Sequence, residues 1–255
     1  MKEDTINVHL TLASRIGLIS SVSVEGKIIL RSLANIHKRV YCGLTIHEGT
    51  IHDKSVVYIV SGIGKTNASR GTFFLIEKYS PGMIIHLGIG GAYPSSGLKQ
   101  GDISIAEKEM YGDEGVFLED GFHSAETIGI PFLIKGRKRY FNEFMLDKKL
   151  SKMAVRIART TLRASRVTVE SGPFLTLSTC TGTVKRAEEL ERRFHAICEN
   201  MEGAAVAHVC TACRVPMIEI RGISNIVGER DRGKWNVSLA AENCQMVVAE
   251  LLKEI

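Results

Sequence analysis

Between residues 55 and 87 the hydrophobic period changes twice, and no other feature narrows the available folds so far. Residues 55–61 form a short β-branched run. Gly62-Ile63-Gly64 punctuates it, and Lys65–Tyr79 follows with Ala68, Thr72, Leu75, Ile76 and Tyr79 at helical spacing. Pro81-Gly82 stops that helix before a second apolar run, residues 83–87. Strands that alternate with helices in this way argue for a largely parallel sheet. The order recurs as a strand over 196–201, a helix over 203–213 ended by Val215-Pro216, and a strand over 217–221. A last helix carries Leu239, Ala240, Cys244, Val247, Val248, Leu251 and Leu252 on one stripe. Residues 6–12 and 41–48 read as two further strands. The expectation is one α/β domain over residues 1–255: a three-layer α/β/α sandwich around a mostly parallel, mixed sheet. Sites in such sheets lie at the carboxyl ends of strands.

Composition excludes several classes. Hydrophobic residues make up 44% and charged residues 24%, ordinary values for a chain that builds its own core. No run of about 18 apolar residues exists, so no membrane span is expected. The polar start Met1-Lys2-Glu3-Asp4 does not resemble a secretion signal, and a cytoplasmic location is expected. The six cysteines form no disulfide framework. Cys210-Thr211-Ala212-Cys213 is a lone pair in an apolar helix and the histidines lack HExxH spacing, so neither metal nor cofactor is expected. Residues 135–166 hold eleven Lys or Arg against two acids. Lys149, Lys152, Arg156, Arg159 and Arg163 form one stripe of a helix whose other face carries Leu150, Met153, Ile157 and Thr161. Without interleaved aromatic residues this reads as a solvated face rather than a nucleic-acid surface.

Two glycine turns imitate nucleotide motifs and fail them. Ser61-Gly62-Ile63-Gly64-Lys65-Thr66 has Ile59 where a P-loop needs its first glycine, and Gly88-Ile89-Gly90 has Tyr93 where a dinucleotide fingerprint needs its third. Both read as turns that let a ligand approach the backbone. The chemistry-bearing residues lie later. Glu202, at a strand-to-helix junction, either caps the helix or accepts hydrogen bonds from two neighbouring hydroxyls, as a ribose diol would offer. Arg221, Ser224 and Asn225 follow at the end of the next strand, where Asn225 faces a ligand or closes an Asx turn.

Together, Met201-Glu202-Gly203-Ala204-Ala205-Val206-Ala207-His208-Val209-Cys210 and Arg221-Gly222-Ile223-Ser224-Asn225 resemble the nucleoside phosphorylase and nucleosidase superfamily. Ser61–Lys65, Gly88-Ile89-Gly90-Gly91 and Gly101-Asp102-Ile103 fall in that family's order. Within it, Tyr111-Gly112-Asp113-Glu114-Gly115, residues 178–183, Glu199-Asn200-Met201-Glu202-Gly203 and residues 228–235 are similar to the futalosine hydrolases of menaquinone biosynthesis. The resemblance implies hydrolysis of an N-ribosidic bond to a purine, in a homo-oligomer. It implies that Glu202 holds the ribose hydroxyls, Met201 packs on the sugar and Asn225 faces the base. Arg221 and Ser224 would orient the site, Leu175 and Thr176 would line the base pocket, and Gly90 and Gly91 would admit the ligand. It also implies a water-activating Glu soon after the first strand. With that strand at 6–12 the slot falls on Gly17, and the first acid downstream is Glu25. Two alternatives therefore stay open: a phosphorylase, with Arg15, Arg39 or Arg70 as phosphate ligands, and a nucleoside-binding protein without turnover.

Overall fold

The computed structural model describes residues 15–255. Its strands are β1 (Ile16–Ser20), β2 (Ala34–Tyr41), β3 (Leu44–Ile51), β4 (Lys54–Val60), β5 (Met83–Ala92), β6 (Ile103–Tyr111), β7 (Gly115–Leu118), β8 (Gly121–Ser124), β9 (Leu133–Lys135), β10 (Lys138–Tyr140), β11 (Glu143–Met145), β12 (Val169–Thr176), β13 (Cys198–Asn200) and β14 (Met217–Ile226). The helices are α1 (Lys27–Ser32), α2 (Lys65–Tyr79), α3 (Ala125–Ile128), α4 (Lys148–Thr161), α5 (Val184–Phe194), α6 (Gly203–Cys213) and α7 (Val237–Glu254).

Among the described residues, ten strands form one sheet in the order β11-β6-β12-β13-β5-β1-β4-β3-β2, with β14 pairing β5 and β6. β1 lies between β4 and β5 and parallel to both. β14 is parallel to β5 and antiparallel to β6. β7 with β8, and β9 with β10, are separate hairpins.

Strand alternation divides the core into two faces. Val56, Tyr58, Met83, Ile85 and Leu87 point to α4 and α7, while Val57, Ile59 and Ile84 point to α2 and α6. The result is the expected α/β fold with helices on both faces of a central sheet. α2 and α6 begin and end where the sequence pattern places them. Each stops at a residue in the left-handed region, Ser80 (φ 47°) and Arg214 (φ 60°), whose N–H returns to a carbonyl of the last turn. The basic stripe of α4 is exposed and its Leu150 and Ile157 are buried. No described helix is long and apolar enough to cross a membrane.

Two expectations are corrected. Residues 41–48 are not one strand: Cys42 (φ 47°) and Gly43 (φ 75°) make the turn between β2 and β3, as two-residue hairpin loops require positive φ. The strand expected over 6–12 lies outside the described residues, and the strand that fills the central position is β1. Gly17 is therefore a strand residue, not a catalytic slot. A Cβ there would come within 2.6 Å of Ile84 Cδ1 and 2.8 Å of Leu75 Cδ2.

Candidate active site

A cavity of about 250 Å³ opens where β1, β5 and β14 end. Ser21, Glu25, Gly90, Gly91, Met201, Glu202, Ser224 and Asn225 line it, joined by Ile63, Cys180, Glu199, Arg230 and Trp235.

Glu202 follows β13 and is only 4% exposed. It does not cap its own helix. Asn200 does so, with Oδ1 accepting from the N–H groups of Glu202 (3.0 Å) and Gly203 (2.7 Å). The Glu202 carboxylate is thus left to face the cavity. Its Oε1 accepts from the N–H of Gly64 (2.9 Å), the residue before α2, so the charge sits at the positive end of a second helix. Gly62 and Gly64 both have φ of 94°, which lets the loop turn that N–H inward.

Glu25 is the acid that follows the first described strand. Its Oε2 accepts from the N–H groups of Ser21 and Val22, and its Oε1 from that of Ile89 (2.9 Å). Burial raises the pKa of this carboxyl and Glu202 adds to the rise, outweighing Arg221 and the backbone donors. A buried carboxylate held this way keeps a free lone pair on Oε1 for a water, and is a stronger base than an exposed one.

Arg221 is 1% exposed and does not line the cavity. It lies behind it, donating through Nε to Glu219 (2.8 Å) and through Nη1 to the Ile89 carbonyl (3.2 Å). Nη2 lies 3.7 Å from Glu202 Oε2. Burial works against its charge, but Glu219, Glu202 and Glu25 outweigh that and push its pKa further up. Arg221 therefore faces Glu219 and Glu202 from behind the cavity rather than a ligand within it.

Ser224 Oγ has one hydrogen, within reach of Asn225 Oδ1 (2.8 Å) or of the Gly90 carbonyl (3.1 Å). Asn225 Nδ2 donates to the Ile226 carbonyl (3.0 Å). Because a carbonyl only accepts, this bond fixes the amide, leaving one N–H for a ligand. Gly90 and Gly91 serve packing as well as access: a Cβ on Gly90 would lie 2.5 Å from Cys198 Sγ. Met201 Sδ lies 3.5 Å from Cys180 Sγ at the cavity wall.

Leu175 and Thr176, expected at the base pocket, do not line the cavity. Leu175 packs with Met110 and Leu177. Thr176 Oγ1 is spent on Glu109 (2.8 Å), Asn200 (2.9 Å) and the N–H of Ala204 (2.8 Å). Sequence reasoning also missed Glu199. It accepts from Thr181 N–H, Thr181 Oγ1 and Tyr93 Oη, pinning the loop that carries Cys180. Its signals were its place in the Glu199–Gly203 segment and an acid one residue into a short strand.

The chain belongs to the phosphorylase superfamily, whose model matches residues 15–253. Among its relatives, a 5'-methylthioadenosine/S-adenosylhomocysteine nucleosidase of Psychromonas ingrahamii is 28% identical, over 94% of this chain and 99% of that protein. A futalosine hydrolase of Thermus thermophilus is 34% identical, over 78% of this chain and 81% of that protein. The structure of a 5'-methylthioadenosine/S-adenosylhomocysteine nucleosidase from Neisseria meningitidis, in complex with methylthio-immucillin-A, superposes with a TM-score of 0.80. It shares 24% identity and covers 95% of this chain and 100% of that one. That of Helicobacter pylori futalosine hydrolase superposes with a TM-score of 0.78 at 20% identity, covering 95% and 99%. At these identities the two superpositions establish the fold.

Proposed function

We propose that this protein hydrolyses the N-ribosidic bond of a 6-oxopurine nucleoside, with futalosine as the substrate. The observation that carries hydrolysis is the buried Glu25 carboxyl on the same cavity as Glu202. Glu25 takes a proton from water, whose oxygen bonds to the anomeric carbon as the bond to the purine nitrogen breaks. The purine leaves as its anion and takes its proton from solvent, and Glu25 returns the proton it took to solvent before the next turnover. Positive charge gathers on the sugar in an oxocarbenium-like transition state, which the Glu202 carboxylate stabilises while it holds the ribose diol. The leaving purine gains negative charge, so the Asn225 N–H strengthens its bond to O6 as the reaction proceeds.

Phosphorolysis fits poorly. It needs cations around a phosphate, and Arg15, Arg39 and Arg70 are engaged elsewhere: Arg15 with Ser55, Arg39 with Glu48, and Arg70 with the Cys42 and Ser61 carbonyls. The cavity lining also includes three carboxylates, Glu25, Glu199 and Glu202, against one arginine, Arg230. In phosphate-free buffer the protein is therefore expected to release hypoxanthine from futalosine, read by chromatography, with no acceleration on adding phosphate. A strict phosphate requirement would overturn hydrolysis. A second reading, an adenine-releasing nucleosidase, is supported by the relatives of that activity. Cleavage of methylthioadenosine but not futalosine would establish it instead.

The benzoate carboxylate of futalosine lies beyond the ribose and needs a cation. Of Arg230, Arg232 and Lys234, Arg230 lines the cavity, with its guanidinium stacked 4.9 Å from the Trp235 ring centre. Lys234 is paired with Glu229 at 2.7 Å. Arg230→Ala is expected to raise KM for futalosine roughly 5- to 10-fold, the size of one partly exposed charge-assisted hydrogen bond, and to leave inosine cleavage within about twofold. Equal effects on both substrates would remove Arg230 from carboxylate recognition.

A further inference from the structure

Behind the cavity, strands β5, β6 and β14 bring three ionisable side chains together in the dry interior: His86, Glu109 and Glu219, each no more than 1% exposed. They are mid-strand residues, and none lines the cavity. Glu219 Oε1 accepts from Arg221 Nε (2.8 Å) and lies 3.3 Å from His86 Nδ1. Arg221 Nη2 is 3.1 Å from His86 Nε2. Arginine only donates, so Nε2 accepts and Nδ1–H is left to donate to Glu219. Glu219 Oε2 has no hydrogen-bond partner among the described residues. Glu109 Oε1 accepts from Asn200 Nδ2 (2.6 Å) and its Oε2 from Thr176 Oγ1 (2.8 Å). The two carboxyls crowd one point above the start of α6: a Cβ on Gly203 would collide with Glu109 Oε1 and come within 2.5 Å of Glu219 Oε2.

Two bare carboxylates in contact inside a protein repel too strongly to coexist, as paired acids in other proteins illustrate. A single proton between them removes the repulsion and gives the orphan oxygen of Glu219 its donor. We propose that Glu109 and Glu219 share one proton, carried by Glu109, so that Glu219 stays the anionic partner of Arg221 and is a positioning residue for Glu202 and Glu25. The positioning half rests on the hydrolytic reading above; the shared proton does not. The electrostatics agree in direction. Burial raises Glu109 well above the ordinary range and Glu219 adds to the rise. Burial pushes Glu219 up too, but the N–H that His86 donates and the charge of Arg221 beside it hold Glu219 low. Asn200 ties the pair to the site, since the side chain that donates to Glu109 also caps α6 beneath Glu202.

The test compares Glu109→Gln and Glu219→Gln with the parent. A group with a raised folded-state pKa stabilises the fold fully below its unfolded value. That stability is lost as pH rises from there through the folded value. The ratio of parent to Glu109→Gln folding constants, from urea unfolding, should therefore fall about tenfold per pH unit between pH 5 and 7, one proton's worth. The other ionisable groups facing the pair are His86 on β5, Cys198 on β13, Cys210 on α6, and Arg221; they are common to both proteins and cancel. A ratio independent of pH would overturn the shared proton. This readout needs no turnover, so it stands even if no nucleoside is cleaved. For catalysis, Gln at 219 should lower kcat at least tenfold more than Gln at 109, because it removes the anion from Arg221 rather than replacing a neutral acid by a neutral amide. Glu219→Asp should restore part of the loss. Equal kcat losses at the two positions, or none, would overturn the positioning role.

Discussion

Glu25→Gln should lower kcat for ribosidic cleavage by about 10²–10⁴-fold, the usual contribution of a positioned general base, with little change in KM. Glutamine keeps the shape of the side chain, and its carbonyl can still accept from Ser21 and Val22. Its NH₂ would then face the N–H of Ile89 and leave that donor unpaired, at a cost of about 1–3 kcal/mol. Thermal unfolding measured beside the kinetics separates that cost from the chemistry. The pH profile gives a second check. A base works only when deprotonated, and burial raises the Glu25 carboxyl. The acid limb of kcat/KM in the parent should thus lie above the ordinary glutamate range and disappear in the variant. A variant that turns over at the parental rate would mean that another group activates water.

Glu25 follows Ile16–Ser20, the first described strand, whereas the sequence pattern took residues 6–12, outside the described residues, as the first strand. Residues 6–12 are apolar enough to read as a strand, and taking them as the first one put the acid's slot on Gly17. Ile16–Ser20 is equally apolar, and only its pairing with β4 and β5 identifies it as the central strand. Periodicity detects strands but not their neighbours. The same limit explains residues 41–48, where apolar residues on both arms of a hairpin hid the turn at Cys42-Gly43. Local signals did better. α2 and α6 were legible because glycine, proline and a 3.6 period act within one element. Met201, Glu202, Ser224 and Asn225 were legible as motifs, and they meet at one cavity. Whether Glu202 caps its helix could not be read locally, because the answer lies in the Asn200 side chain two residues away. Arg221 was placed on the right strand but one layer too far forward, since an arginine at a strand end looks the same whether it faces ligand or carboxylates. Glu109 and Glu219 did carry a visible anomaly, an acid inside an apolar strand. Their contact joins residues 110 positions apart, and no spacing rule reaches that far.

If the substrate is a 6-oxopurine nucleoside, as proposed above, one amide is expected to select the base. Asn225→Asp is expected to shift the ratio of kcat/KM for futalosine to that for its 6-amino analogue by about 100-fold toward the amino compound. In the parent, Asn225 Nδ2 gives one hydrogen to the Ile226 carbonyl (3.0 Å) and has one left for the cavity. That hydrogen can pair with the O6 acceptor of a 6-oxopurine, whereas an amino group at that position offers it no acceptor. Here an aspartate would set a carboxylate oxygen against the Ile226 carbonyl, two acceptors face to face. Relief comes from protonation, so the new carboxyl should have a raised pKa and should donate when protonated. Ionised, it offers O6 only repulsion as negative charge gathers on the departing base. Each mispaired polar group in a closed site costs about 1–3 kcal/mol, and sites built to hydrogen-bond a substrate reject the mismatch strongly. Ser224 should keep the new side chain in place, because its hydroxyl can still donate to the oxygen that replaces Oδ1. The measurement is kcat/KM for both substrates with both proteins, at pH 6 and pH 8. The amino substrate should gain most at pH 6, where more of the new carboxyl is protonated. A ratio that does not change would remove Asn225 from base recognition and assign it to the turn alone.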